Sequence, residues 1–213
     1  VSEPAVVVAF DLDGTLTVRD AVMPFFRKVA GTRKFFGQSL KYFPTLLSAF
    51  AKRDRDAAKE IAAGAIFRGV SQKVLEDEGQ LMARRIAGSW LREDVLARLR
   101  WHQEQGHYTV IVSASFGAYV GPLGSKLGVN QVLATELLFD DAGICTGELA
   151  GGNCRGEEKA RRLKNHLNES FATWELRWAY GDSSGDTAML AMAENSLNVA
   201  RLNLTPVPEH SVA

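Results

Sequence analysis

Apolar and polar positions fall into two patterns along this 213-residue chain. Residues 5–10 read Ala-Val-Val-Val-Ala-Phe, an unbroken apolar run bounded by Asp11 and Gly14. So short a run predicts a strand, and its lack of alternation places that strand in a sheet covered on both faces. Residues 108–112 repeat the pattern and lead into Ser113-Ala114-Ser115, and Leu176 to Tyr180 does so ahead of Gly181-Asp182. Val132 to Ala134 is a shorter candidate. Helical stretches separate these runs. Arg92 to Gln105 carries Val95, Leu96 and Leu99 on one face and stops at Gly106, a residue suited to a left-handed cap. Glu157 to Leu167 and Thr187 to Glu194 also read as helices. Apolar strands alternating with helices predict an α/β fold with a doubly wound parallel sheet, and such sheets bind ligands at the carboxyl ends of their strands.

The long stretch between Phe10 and Tyr108 contains no convincing strand. Residues 21–90 instead carry helical periodicity, with Leu75, Met82, Ile86 and Trp90 on a single face. Thr32 is placed to cap a helix starting at Arg33, and Pro44 to kink or break it. A crossover between parallel strands needs only about a dozen residues. Residues 21–90 therefore form an inserted helical domain, and residues 1–20 with 91–213 form the core. Leu138 to Leu149 reads as a hairpin turning at Asp140–Gly143. The tail after Asn203, with Pro206 and Pro208, is expected to fray.

Composition narrows the classes. With 46% hydrophobic and 23% charged residues the chain is an ordinary globular one rather than a disordered one. Its 25 basic and 25 acidic side chains balance, which argues against a general nucleic-acid binder. Two cysteines, Cys145 and Cys154, cannot supply a disulfide framework and suit a reducing compartment. No apolar run reaches the roughly 18 residues needed to span a bilayer. The opening Val1-Ser-Glu-Pro has neither the basic nor the apolar segment of a signal peptide, so a cytoplasmic location is expected. Nothing in the sequence speaks to oligomeric state.

The candidate chemistry lies at the strand ends. Asp11 and Asp13 follow the first strand two residues apart, so an extended chain would point both carboxylates the same way. Like charges that close call for a cation, and Mg²⁺ suits one or two carboxylates with water and a phosphate. Gly14 permits a turn, and Thr15 offers a hydroxyl and a backbone donor to a phosphate. The plainer alternative is an Asx-turn leading into a helix. After the third strand, Asp182 could share the metal of Asp11, while Asp186 could orient a water beside that ion or simply cap the next helix. Ser113 and Ala114 open a strand end towards a helix, an arrangement able to cradle phosphate. Arg155 and Lys159, at the entry to a helix, could offset the aspartates or only line a solvated face. Together these groups supply a nucleophile, a proton carrier, metal ligands, phosphate donors and a cation. Phosphoryl transfer requires that set.

Asp-x-Asp-Gly-Thr, Ser, Lys and Gly-Asp-x-x-x-Asp, in that order, resemble the haloacid dehalogenase superfamily. The helical insert after the first motif resembles its phosphoserine-phosphatase-like branch. The resemblance covers essentially the whole chain. It implies a Rossmann-like core with a helical cap and a Mg²⁺-dependent phosphatase. Asp11 is then the nucleophile, forming an aspartyl-phosphate, and Asp13 the acid and base. Asp11, Asp182 and the Asp13 carbonyl would hold Mg²⁺, and Ser113 the phosphoryl group. An acid at position 13 favours a phosphatase over the dehalogenases and transport ATPases, which lack it. Lys159, 23 residues before Asp182, is preferred as the family's lysine over Arg155, 27 before it.

The substrate is expected to be a small phosphomonoester. Asp20 stands where phosphoserine phosphatases carry a Glu, and Arg68 is a candidate for a substrate carboxylate. The insert holds seven of the eleven Phe, and residues 21–60 carry nine Lys or Arg against three acids, net +6. Bundle packing explains most of those aromatics. The alternative is an apolar or strongly anionic substrate, such as a lysophospholipid or polyol phosphate, with transient contact to anionic membrane rather than stable insertion. A phosphotransferase and a non-catalytic binding module of the same fold are the competing functions.

Overall fold

A computed structural model describes residues 3–31, 55–200 and 202–207. Thr32 and Pro44 lie outside them. Among the described residues six strands form one sheet: β1 (Ala5–Phe10), β2 (Tyr108–Phe116), β3 (Gln131–Phe139), β4 (Cys145–Ala150), β5 (Trp174–Gly181) and β6 (Asn195–Asn198). Their spatial order is β4-β3-β2-β1-β5-β6, parallel except for the β3–β4 hairpin. The sheet runs outward from β1 in both directions, and loops at such a reversal leave a crevice at the carboxyl ends. Asp11 stands there.

The unbroken apolar runs follow from burial on both faces. Val8, Phe10 and Ile111 pack on one side with α4 (Glu93–Glu104) and α5 (Gly117–Leu127). Val7, Ala9, Val110 and Val112 pack on the other with α6 (Glu157–Ser170) and α7 (Thr187–Leu190).

Between β1 and β2 lie α1 (Val22–Ala30), α2 (Arg55–Phe67) and α3 (Gln72–Ser89). Ser71 caps α3, its hydroxyl accepting from Val74 N at 3.4 Å, and Leu75, Met82 and Ile86 fill its buried face as the periodicity predicts. Gly79 lets α3 lie against α5, since a Cβ there would run into the Ala118 carbonyl. Phe25, Phe26 and Phe67 meet Phe116 in an aromatic cluster, with ring centroids 5.0–6.3 Å apart. The helices thus share their hydrophobic core with one face of the sheet. The chain enters and leaves them side by side: Val18 N bonds Trp90 O at 2.8 Å, and Arg92 N bonds Leu16 O at 2.9 Å.

Several boundaries differ from the sequence expectation. β2 continues through Ser113 and Ser115 to Phe116, because Phe116 still pairs with Thr135 of β3. The helix expected over residues 187–194 is a 3₁₀ turn at Ser184–Asp186 followed by four helical residues. It ends early because the chain must return to the sheet edge, where Glu194 N bonds Leu176 O at 3.0 Å. The short, polar β6 had no apolar signature. The tail is not frayed as far as Val207: the buried Arg98 donates to the carbonyls of Thr205, Pro206 and Val207 at 2.6–3.2 Å. No described helix is long and apolar enough to cross a membrane.

Candidate active site

Asp11 directly follows β1, its N–H bonded to Tyr180 O at 2.9 Å. The chain then turns at Gly14 (φ 84°), where a Cβ would collide with the Asp182 carboxylate. Asp13 is fixed by two neighbours: Ala21 N donates to Oδ1 at 2.9 Å and Ser115 Oγ donates to Oδ2. Tyr119 O–H in turn donates to Ser115 Oγ at 2.7 Å. Burial, helped by the nearby Asp20 charge and opposed by the Ser115 bond, pushes the Asp13 carboxyl up to about 7. That suits a group that must give and take a proton near neutrality. Burial also raises Asp11, against the pull of Lys159.

Lys159 projects from the first turn of α6. Its ammonium donates to Asp11 Oδ1 and, at 2.6 Å, to Asp186 Oδ1, and it is 2% exposed. Burial works against its charge, but the two carboxylates outweigh burial and hold it raised. Arg155 lines the same cavity but points to Ser184 Oγ, 3.4 Å from Nη2. Of the two basic candidates, Lys159 is thus the one paired with the aspartates. Asp186 Oδ2 accepts from Ser183 N, Ser183 Oγ and Asp182 N at 2.9–3.2 Å. Against the opposing effect of burial, Lys159 and these bonds keep it ionised.

Asp11, Asp182 and Asp186 bring carboxylate oxygens within 4.8 Å of one another. Among the described residues no side chain donates a hydrogen bond to Asp182, and one ammonium faces three acids. A hard, oxygen-seeking divalent cation fits that donor set.

Ser113, buried in the C-terminal half of β2, lines the cavity beside Ala114. Asp20 lines it too, but its Oδ1 accepts from Val22 N and Met23 N at 2.8 and 3.3 Å, capping α1. Two expected residues are elsewhere. Thr15 is fully buried away from the cavity, its Oγ1 unpartnered among the described residues and its N–H turned back to Leu12 O, because the tight turn at Gly14 folds it inward. Arg68 follows the end of α2, exposed and against Gly147 of β4, outside the cavity lining.

The structure adds groups the motifs did not reveal. Lys59 on α2 reaches across to the Ala114 carbonyl, Thr135 Oγ1 (3.1 Å) and Asn153 Oδ1 (2.7 Å), with its nitrogen 4.4 Å from the Phe116 ring centroid. Its one sequence signal is a lone lysine on the face that carries Ala62 and Ile66. Asn153 passes the link to Asp56 Oδ1 at 2.6 Å. The cavity measures about 940 Å³, with Asp11, Asp13, Ser113 and Asp182 on the sheet side and side chains of α1 and α2 opposite.

A family model described as haloacid dehalogenase-like hydrolase matches residues 8–191. Protein CicA of Caulobacter vibrioides is 38% identical over 187 residues, covering 88% of this chain and 82% of that protein. A probable phosphatase of Mycobacterium tuberculosis is 28% identical over 193 residues, covering 85% and 64% respectively. A substrate-bound phosphoserine phosphatase shares the fold at a TM-score of 0.60 and 16% identity, over 92% of this chain and 86% of that one.

Proposed function

The chain belongs to the haloacid dehalogenase-like hydrolase family, and within its phosphatase chemistry we propose that it is a Mg²⁺-dependent phosphomonoesterase working through an aspartyl-phosphate on Asp11. The observation that carries this reading is the placing of Asp11 between Lys159 and the Asp182–Asp186 pair, on the cavity that Asp13 also lines.

Residues 1–20 and 91–213 act as the catalytic core and 21–90 as a cap over it. An Asp11 oxygen attacks phosphorus as the bond to the ester oxygen breaks. Asp13, protonated at that point, gives its proton to the departing alcohol. Asp13 then takes a proton from the water that attacks the acyl phosphate, which restores Asp11 and releases phosphate. Ser113 and the Ala114 backbone bind phosphoryl oxygens, and Lys159 offsets their charge. Asp11, Asp182 and the Asp13 carbonyl would hold Mg²⁺, with Asp186 positioning Lys159 and the Asp182 loop. When bound, the ion supplies the positive charge that brings a dianionic phosphate beside carboxylates.

The test is release of phosphate from p-nitrophenyl phosphate. Release should require Mg²⁺ and fall by about 10⁴-fold or more in Asp11→Asn, in the range seen for removed nucleophiles. Absence of release by the unaltered protein with Mg²⁺ present would sink the reading and favour a binding module.

A further inference from the structure

We propose that the leaving alcohol carries an apolar chain, and that Val22, Met23, Phe26, Ala58, Ala62 and Ile66 form the surface on which the chain lies. The inference rests on the phosphatase reading above and names the substrate class of that site.

The first argument is size. A cavity of about 940 Å³ lies near the upper end for whole small-molecule ligands, so a phosphoryl group bound at Asp11 leaves most of it for the alcohol. The second is the chemistry of the wall. The six side chains come from α1 and α2 and line the cavity opposite the carboxylates. Against them a hydroxyl or ammonium would lose water without gaining a partner, at a cost. A methylene placed there would be favoured.

Among the described residues, the charged Arg19, Asp20, Lys59 and Arg155 beside the cavity already have partners within the protein. All three donors of the Lys59 ammonium have acceptors within the protein. Asp20 accepts from two backbone N–H groups of α1. The Arg19 guanidinium lies 4.0 Å from the centroid of the Trp90 ring, and Arg155 is drawn to Ser184. A carboxylate or an ammonium on the alcohol would compete with these partners, whereas an alkyl chain competes with none. Met23, 53% exposed, extends the wall to the cavity mouth, and its unbranched thioether adapts to chains of different length.

The experiment compares kcat/KM for methyl, butyl, hexyl and octyl phosphate, as dissolved monomers with Mg²⁺, against phosphoserine and glycerol phosphate. The expected result is a rise at each step, up to about fourfold per methylene, the equivalent of about 0.8 kcal/mol, with both polar esters below butyl phosphate. In Met23→Asp the octyl-to-methyl ratio should drop by about tenfold. A ratio is independent of how much of the variant folds. By calorimetry, octylphosphonate should bind more tightly than methylphosphonate and with a more negative heat-capacity change. A flat alkyl series, or phosphoserine or glycerol phosphate exceeding hexyl phosphate, overturns the inference while the phosphatase stands. No phosphate from any ester removes both.

Discussion

On the sheet side of the cavity Asp11, Asp186 and Lys159 are 5%, 1% and 2% exposed and compensate one another by ion pairing. On the helical side Phe25, Phe26, Ile66 and Phe67 are as deeply buried, within an apolar cluster. The first side owes its geometry to charges that each require the others, so removing one member disables the whole. The second owes it to packing, which fails in proportion to the atoms removed. Groups whose charges must be held to a fraction of an ångström sit on the first side, and shape-tolerant apolar packing on the second.

Lys159→Met attacks the charged side and should have the largest effect. It leaves two carboxylates buried without their cation, a change that costs about 3–5 kcal/mol in buried pairs, and it should lower turnover by about 10³-fold. Urea unfolding without divalent metal measures the first, and phosphate release the second. Arg155→Ala should alter stability by less than about 1 kcal/mol, as expected for a surface cation. If turnover fails in Arg155→Ala and survives in Lys159→Met, the assignment of the lysine is reversed.

Phe67→Ala attacks the packed side. Its ring meets Phe25, Phe26 and Phe116 at 5.0–5.7 Å, and its removal should destabilise by about 3–5 kcal/mol. Amide exchange locates the damage: protection should fall in α1 and α2 before β1 and β5. Equal loss in the strands would mean that the two sides unfold as one unit.

Acid probes the sheet side, because a buried histidine lies under it. Under the sheet His102 is fully buried between Tyr180 O–H and His107 Nδ1, each 2.9 Å from a ring nitrogen. Burial, with His107 and Arg98 adding positive charge nearby, pushes it down to about 3 from its ordinary 6.5. The unfolded chain therefore binds a proton that the native state refuses. The His102 contribution is unchanged above pH 6.5 and falls below it by up to about 1.4 kcal/mol per pH unit, until about pH 3, while the raised carboxyls of Asp11 and Asp13 act in the opposite sense. The His102 share is the difference in urea midpoint between the protein and His102→Gln, which should narrow from pH 7.5 to pH 5.5. An unchanged slope in that variant would move the acid sensitivity to other groups.

The two sides also differed in how far the sequence revealed them. Asp11, Asp13, Ser113, Lys159, Asp182 and Asp186 each stand at a strand end or helix entry, where local pattern and chemistry coincide. The face of α3 was legible because Leu75, Met82, Ile86 and Trp90 recur at helical spacing. Lys59 was not, since its partners Ala114, Thr135 and Asn153 are brought to it only by the packing of α2 over the sheet. Thr15 was misplaced because a motif shows which residues are adjacent and not which way a tight turn points them. β6 and the strap of the tail across Arg98 escaped for the same reason: both depend on distant partners rather than on their own hydrophobicity.

Lys59 is where the two sides meet, and replacing it should have a smaller effect than replacing Lys159 or Phe67. At neutral pH, Lys59→Met should destabilise by about 1–2 kcal/mol, the usual range for lost hydrogen bonds that leave buried acceptors. Its sign with pH is informative. Burial pushes the ammonium down to about 7 from 10.5, with Asp13 the main opposing charge. Between those values the unfolded state holds a proton that the native state has released, so the unaltered protein gains stability as pH rises. The gap between it and Lys59→Met should widen from pH 7 to pH 9. Urea titrations of both proteins at the two values decide this. A constant gap, with KM for methyl phosphate raised more than about tenfold, would mean that Lys59 spends its charge on the phosphate and belongs with Lys159 on the sheet side.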